Sequence, residues 1–154
     1  MNTRYIYCIA AIALFTGLFN PAYAEDSPAS PVFFAHLLGG NEVGPAGDAN
    51  AGDQEGLGSA TVITKNKGAI CFAILVNNIG IPSAAHIHKS VAGQNGPIVV
   101  PLAAPKNGSP GSSSGCVKSL DPALLADIKN NPSAYYINVH SDEFPGGALR
   151  GQLF

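Results

Sequence analysis

At 154 residues the chain is long enough for one domain around a single core. Eight basic residues stand against ten acidic ones, a formal charge of −2, with no basic block anywhere along the sequence. That balance excludes nucleic acid and an anionic membrane surface as partners.

The first segment has its own character. Arg4 is the only charge in the first 24 positions, and the run from Ile6 to Phe19 is apolar apart from Thr16, Gly17 and the polar atoms of Tyr7 and Cys8. Pro21-Ala22-Tyr23-Ala24 ends it in a small-x-small pattern, followed by Glu25-Asp26. This is the layout of a secretory signal peptide cleaved after Ala24. The apolar run is short for a span of about 20 residues, so no membrane span is expected in the mature chain. The expected organisation is a signal peptide over 1–24, a mobile Pro/Ser/Ala leader over 25–31 and one domain over 32–154. The mature protein is expected in an exported location, periplasmic or secreted. Losing Arg4 leaves seven basic residues against ten acidic, a charge of −3.

Val32 to Leu38 reads as the first strand, ended by Gly39-Gly40, and the glycine-rich stretch from Gly44 to Gly58 as a long loop. Leu57 to Thr64 and Ala69 to Asn77 form a hairpin around Asn66-Lys67-Gly68, because Ile70, Phe72, Ile74 and Val76 alternate strictly. Ala84 to His88 is a short strand. Asn95-Gly96 turns the chain into another, Pro97 to Leu102. Ala103 to Gly115 reads as a Pro/Gly/Ser-rich loop that runs into a weak strand, Ser113 to Leu120. One helix is expected: Asp121 is a good N-cap, Pro122 suits the first helical position, Leu124, Leu125 and Ile128 share a face, and Asn130-Asn131-Pro132 ends it. Ala134 to Ser141 and Gly147 to Phe154 are the last strands. Short strands separated by turns predict an all-β fold, an antiparallel Greek-key sandwich or barrel with one short helix.

Cys8 leaves with the signal peptide, so Cys71 and Cys116 remain as a single pair in an oxidising compartment, and a disulfide is expected. A thiolate metal site has no close Cys spacing in its favour.

The residues that carry chemistry are histidines. His86 and His88 alternate with Ile87 and therefore share a strand face. In Tyr135 to His140 the apolar face is Tyr135, Ile137 and Val139, which puts His140 on the other one with Tyr136 and Asn138. If the two strands approach, three imidazoles converge as a metal site with an open fourth position. Imidazole nitrogen suits copper first, with zinc or iron as alternatives. His36 shares a face with Phe34 and Leu38; it is a structural histidine or a fourth ligand. Glu42, Tyr136, Asn138, Asp142 and Glu143 are candidates for orienting the imidazoles from behind, or are surface and loop-capping groups. No nucleophile elbow, catalytic triad or phosphate loop is present.

Several blocks together resemble a CHRD domain, the module of the developmental antagonist chordin that also occurs in exported bacterial proteins. They are Leu38 to Val43, Ala85 to His88, Gly93 to Val99, Tyr136 to Ser141 and Pro145 to Leu153. A more distant resemblance links Val139-His140-Ser141-Asp142 and Gly146 to Gly151 with the copper-histidine and arginine region of Cu,Zn superoxide dismutases. It implies that His86, His88 and His140 match copper ligands and that Arg150 matches an anion-steering arginine; an ion-pair anchor is the other reading of Arg150. No histidine lies between His88 and His140, so a bridging histidine and a zinc subsite have no counterpart.

Three functions stay open at this level. The first is an exported, copper-binding β-sandwich that handles metal or carries modest redox chemistry. The second is a non-catalytic module that binds extracytoplasmic proteins and uses its histidines structurally. The third is a dismutase-like enzyme.

Overall fold

Alternation of apolar side chains builds the wall of this fold. The computed structural model describes residues 31–154; the expected signal peptide, and the expected leader up to Ser30, lie outside them. The strands are β1 Val32–Leu38, β2 Leu57–Lys65, β3 Ala69–Asn77, β4 Pro82–Lys89, β5 Ile98–Leu102, β6 Gly111–Val117, β7 Tyr135–Ser141 and β8 Leu149–Gln152, with helix α1 Pro122–Asn130 between β6 and β7. They form one sheet in the order β5-β4-β7-β8-β1-β2-β3-β6, antiparallel at every step. The two edges nearly close into a barrel: Ser113 Oγ of β6 donates to the Ala103 carbonyl just past β5, at 2.8 Å. The β3–β4 and β6–β7 connections cross to non-adjacent strands, as in a Greek key.

Phe33, Ala35 and Leu37 of β1, Ile70, Phe72, Ile74 and Val76 of β3, and Tyr135, Ile137 and Val139 of β7 point into the core. Pro101 is tolerated because β5 is an edge strand that pairs only with β4, and Pro82 because it opens its strand. Asp121 caps α1 by accepting from the Ala123 N–H at 2.8 Å, and Leu125 and Ile128 seat the helix on the core.

Two strands, β6 and β8, depart most from the sequence reading. β6 begins at Gly111, inside the expected loop, and ends at Val117, because its Ser/Gly backbone completes a ladder against β3 from Val76 to Ile70. Pairing there overrides weak intrinsic propensity. β8 begins only at Leu149: Gly147 has φ +143°, outside the strand region, and the Ala148 N–H starts the pairing by donating to Val139 O at 2.7 Å.

β7 is unusual in being covered on both faces. Tyr136 and Asn138 point away from the core, yet each is only 2% exposed. The cover is made by three connections, 42–56, 90–97 and 142–148. Asn95 Nδ2 donates to the carbonyls of Val43 and Gly44, both at 3.0 Å, and the Asp53 N–H donates to Ala148 O at 2.9 Å. No helix among the described residues is long and apolar enough to cross a membrane.

Cys71 and Cys116 are direct register partners on β3 and β6 and form a disulfide, with Cα atoms 4.0 Å apart and a sequence separation of 45. Closing a loop of that length stabilises the fold by about 4 kcal/mol in the chain-entropy model. Thiol titration of the purified, non-reduced protein is expected to find neither Cys71 nor Cys116 free. Cys71→Ala with Cys116→Ala is expected to lower the unfolding free energy by about 2–5 kcal/mol in urea; an unchanged midpoint would refute that role.

Candidate metal centre

The β4–β7 register decides what converges. Ala84 pairs with His140, His86 with Asn138 and His88 with Tyr136, and the row continues from Asn138 to Arg150 on β8. Side chains alternate, so all of these stand on the outer face of the barrel wall, beneath the loop cover, while Ala85, Ile87, Ile137 and Val139 fill the core behind them.

His86 Nδ1 lies 3.1 Å from His140 Nε2, and a ligating nitrogen from each of His86, His88 and His140 falls within 4.8 Å of the others. Metal–imidazole bonds of about 2.0–2.1 Å place such nitrogens roughly 3–4 Å apart, so the set closes on an ion with ring movements of about 1 Å or less. The rings are held from behind. His88 Nδ1 donates to Gly96 O at 2.9 Å and His140 Nδ1 donates to Pro145 O at 3.0 Å. A carbonyl can only accept, so both protons sit on Nδ1 and both Nε2 atoms turn a lone pair inward. Burial, assisted by the neighbouring imidazoles, lowers the pKa of His86 and His88, which favours the neutral form that ligation needs.

Asn138 stands in the centre, its side-chain oxygen 3.0 Å from His88 Nε2 and 3.1 Å from His140 Nε2. Tyr136 stacks on His88 with ring centroids 4.7 Å apart and planes 9° from parallel, and the Arg150 guanidinium lies 3.4 Å from the centroid of the Tyr136 ring. Arg150 is 1% exposed. Its Nη1 donates to Asn95 Oδ1 at 3.3 Å, and its Nη2 donates to the carbonyls of Val91 at 3.1 Å and Gln94 at 2.7 Å. It clamps the 91–96 loop, which presents the Gly96 carbonyl to His88. Asn95, inside the Gly93 to Val99 block, carries no chemistry that its sequence context reveals; it joins Arg150 to the carbonyls of Val43 and Gly44 and so ties two loops together.

His36 stands outside this cluster. It is exposed on β1, three strands from β4 and therefore about 14 Å away at ordinary strand spacing, with its ring stacked on Phe154 at 5.4 Å. A shared strand face with Phe34 and Leu38 carries no information about which strand lies next door. Asp142 and Glu143 are exposed in the β7–β8 turn and lie outside the histidine cluster.

Glu42 is buried to 2% exposure. One oxygen accepts weakly from the Val43 N–H at 3.3 Å, and Oε2 has no hydrogen-bond partner. It packs against Gly147, where any β-carbon would collide with the carboxyl group. It lines two clefts, of about 280 and 290 Å³. Burial pushes its pKa up to about 7, against smaller opposing effects of the Val43 N–H and Arg150.

An eight-stranded, nearly closed antiparallel barrel that gathers three imidazoles on its outer wall defines an all-β domain with a group able to hold a metal ion. The CHRD domain family model matches residues 33–153, and the chain belongs to that family. Searches of curated proteins and of solved structures found no match.

The raised pKa of Glu42 has a consequence for stability. Below about pH 4.5 the carboxyl is protonated folded or unfolded and costs nothing; above that the unfolded chain releases the proton first, and the penalty grows until about pH 7. Glu42→Gln is therefore expected to match wild type near pH 4 and to exceed it at pH 8 by about 3 kcal/mol, read from urea unfolding at both pH values. Equal midpoints at pH 8 would show that the carboxylate is not penalised.

Proposed function

We propose that this is an exported metal-binding protein that holds one ion, copper, through His86, His88 and His140, for metal handling or modest redox chemistry. The observation that carries this reading is the pair of inward lone pairs: two backbone carbonyls take the Nδ1 protons of His88 and His140, so both Nε2 atoms present electron pairs to the space they share with His86. Lone pairs gathered at one point are what a cation binds. Three neutral nitrogens follow the affinity order that favours copper among divalent ions. Copper supplies a one-electron couple when bound. His88 and His140 keep their rings fixed through Gly96 and Pro145, Tyr136 covers one face of His88, and Arg150 holds the loop that carries Gly96.

Export is supported by the signal-like first 24 residues and by a disulfide, which suits an oxidising compartment. A superoxide-steering role for Arg150 has less support, since the guanidinium is buried and engaged by Asn95 and by two carbonyls. A second reading, a protein-interaction module, is favoured by one observation. The outer side of β1 to β3 and the C-terminus expose Phe34, Leu38, Leu57, Leu75 and Phe154 by 46–60%.

Metal content by mass spectrometry on protein purified from its native compartment is expected to give one copper per chain, with imidazole nitrogen hyperfine structure in the Cu(II) paramagnetic resonance spectrum. His140→Ala is expected to weaken binding about 100-fold or more. No stoichiometric metal, with wild type and variant alike, would leave the histidines as structure; zinc or iron at one equivalent would keep the site and change the ion.

A further inference from the structure

We propose that Asn138 is the fourth arm of the site, its side-chain amide oxygen completing an N3O set with His86, His88 and His140; this rests on the three-histidine reading above. Both hydrogen bonds of the Asn138 side chain go to the imidazoles, to His88 Nε2 at 3.0 Å and to His140 Nε2 at 3.1 Å. Because the carbonyls of Gly96 and Pro145 hold the Nδ1 protons, both of those Nε2 atoms are acceptors. An amide oxygen is an acceptor too. Three acceptors at 3.0–3.1 Å repel one another unless something positive lies among them.

One side chain resolves this in two ways. Without an ion, a half-turn about χ2 presents Nδ2, which can donate a hydrogen to His88 Nε2, while His86 Nδ1 donates its proton to His140 Nε2 at 3.1 Å. With an ion, the oxygen faces inward, and His86 takes its Nε2-protonated tautomer so that Nδ1 can ligate. The amide thus plugs the empty site and lines the filled one. Its backbone allows little else: Asn138 is the direct cross-strand partner of His86, lies two residues before His140 on the same face, and is 2% exposed.

The spacing also bears on which ion fits. Running round the set, the separations are 3.1 Å from His86 to His140, 3.1 Å from His140 to Asn138 and 3.0 Å from Asn138 to His88. A square of bonds about 2.05 Å long has edges of about 2.9 Å, whereas a tetrahedron has edges of about 3.3 Å. The 3.0 Å edge lies nearer the square, and the two 3.1 Å edges lie midway between the two shapes. Cu(II) suits the tetragonal form of such an N,O set and Zn(II) the tetrahedral one, and this spacing accommodates both.

The test uses the mature protein labelled with asparagine carrying carbon-13 at the side-chain carbonyl and loaded with one equivalent of Cu(II). Pulsed paramagnetic resonance is expected to show imidazole nitrogen couplings and a carbon-13 coupling. In Asn138→Asp that coupling disappears, because the labelled carbon is gone, and Cu(II) affinity rises about 10-fold as a charged oxygen replaces a neutral one. Asn138→Leu is expected to weaken Cu(II) about 10-fold. Imidazole couplings without carbon-13 coupling in the labelled wild type overturn the fourth-arm assignment and leave the three-histidine reading standing. Absence of imidazole couplings overturns both. The labelled wild type decides the question even if Asn138→Leu fails to fold.

Discussion

The antiparallel pairing of β4 with β7 is the constraint on which the rest depends. A shift of one residue along β7 would send Asn138 and His140 into the core and bring Ile137 and Val139 onto the outer face. Nothing in the imidazoles themselves holds that register. It is held by apolar burial behind the site, where Ala85, Ile87, Ile137 and Val139 are at most 1% exposed. The hydrophobic core thereby sets the geometry of a polar cluster on the opposite side of the same strands.

The cover over that cluster is an independent device. Arg150, Asn95 and the carbonyls of Val91 and Gln94 lock the 90–97 connection against the barrel wall, and Asn95 passes the constraint on to Val43 and Gly44. An arginine at 1% exposure would be expensive if left alone; here the face of Tyr136 and three acceptors replace its water. The stack Arg150–Tyr136–His88 then joins the clamp to a histidine. It makes the position of one ligand depend on a residue two strands away.

Glu42 belongs to the same cover and is its least satisfied member. A buried carboxyl with one unpartnered oxygen costs stability once ionised, and Gly147 must remain glycine both for its φ of +143° and for the space that the carboxyl group fills. The loop junction is thus held at some expense in stability, whereas β1 to β3, with a disulfide from β3 to β6, form a regular ladder whose one unpartnered buried side-chain atom is the Thr64 hydroxyl.

Much of this was legible from residue order alone. Period-two alternation in Ile70 to Val76 and in Tyr135 to Val139, the Asp121-Pro122 cap, and the shared faces of His86 with His88 and of Asn138 with His140 are all local properties of the backbone, and the structure keeps every one of them. A single cysteine pair likewise left only one disulfide to form once Cys8 was set aside. Which strand lies beside which is not local. Only the folded sheet placed β4 against β7 and moved His36 three strands away, because strand order is decided by how the whole apolar surface closes on itself. The loop contacts were equally out of reach. The carbonyls of Gly96 and Pro145, and the clamp of Arg150 on Val91 and Gln94, use backbone atoms, and a backbone carbonyl carries no signature in the sequence.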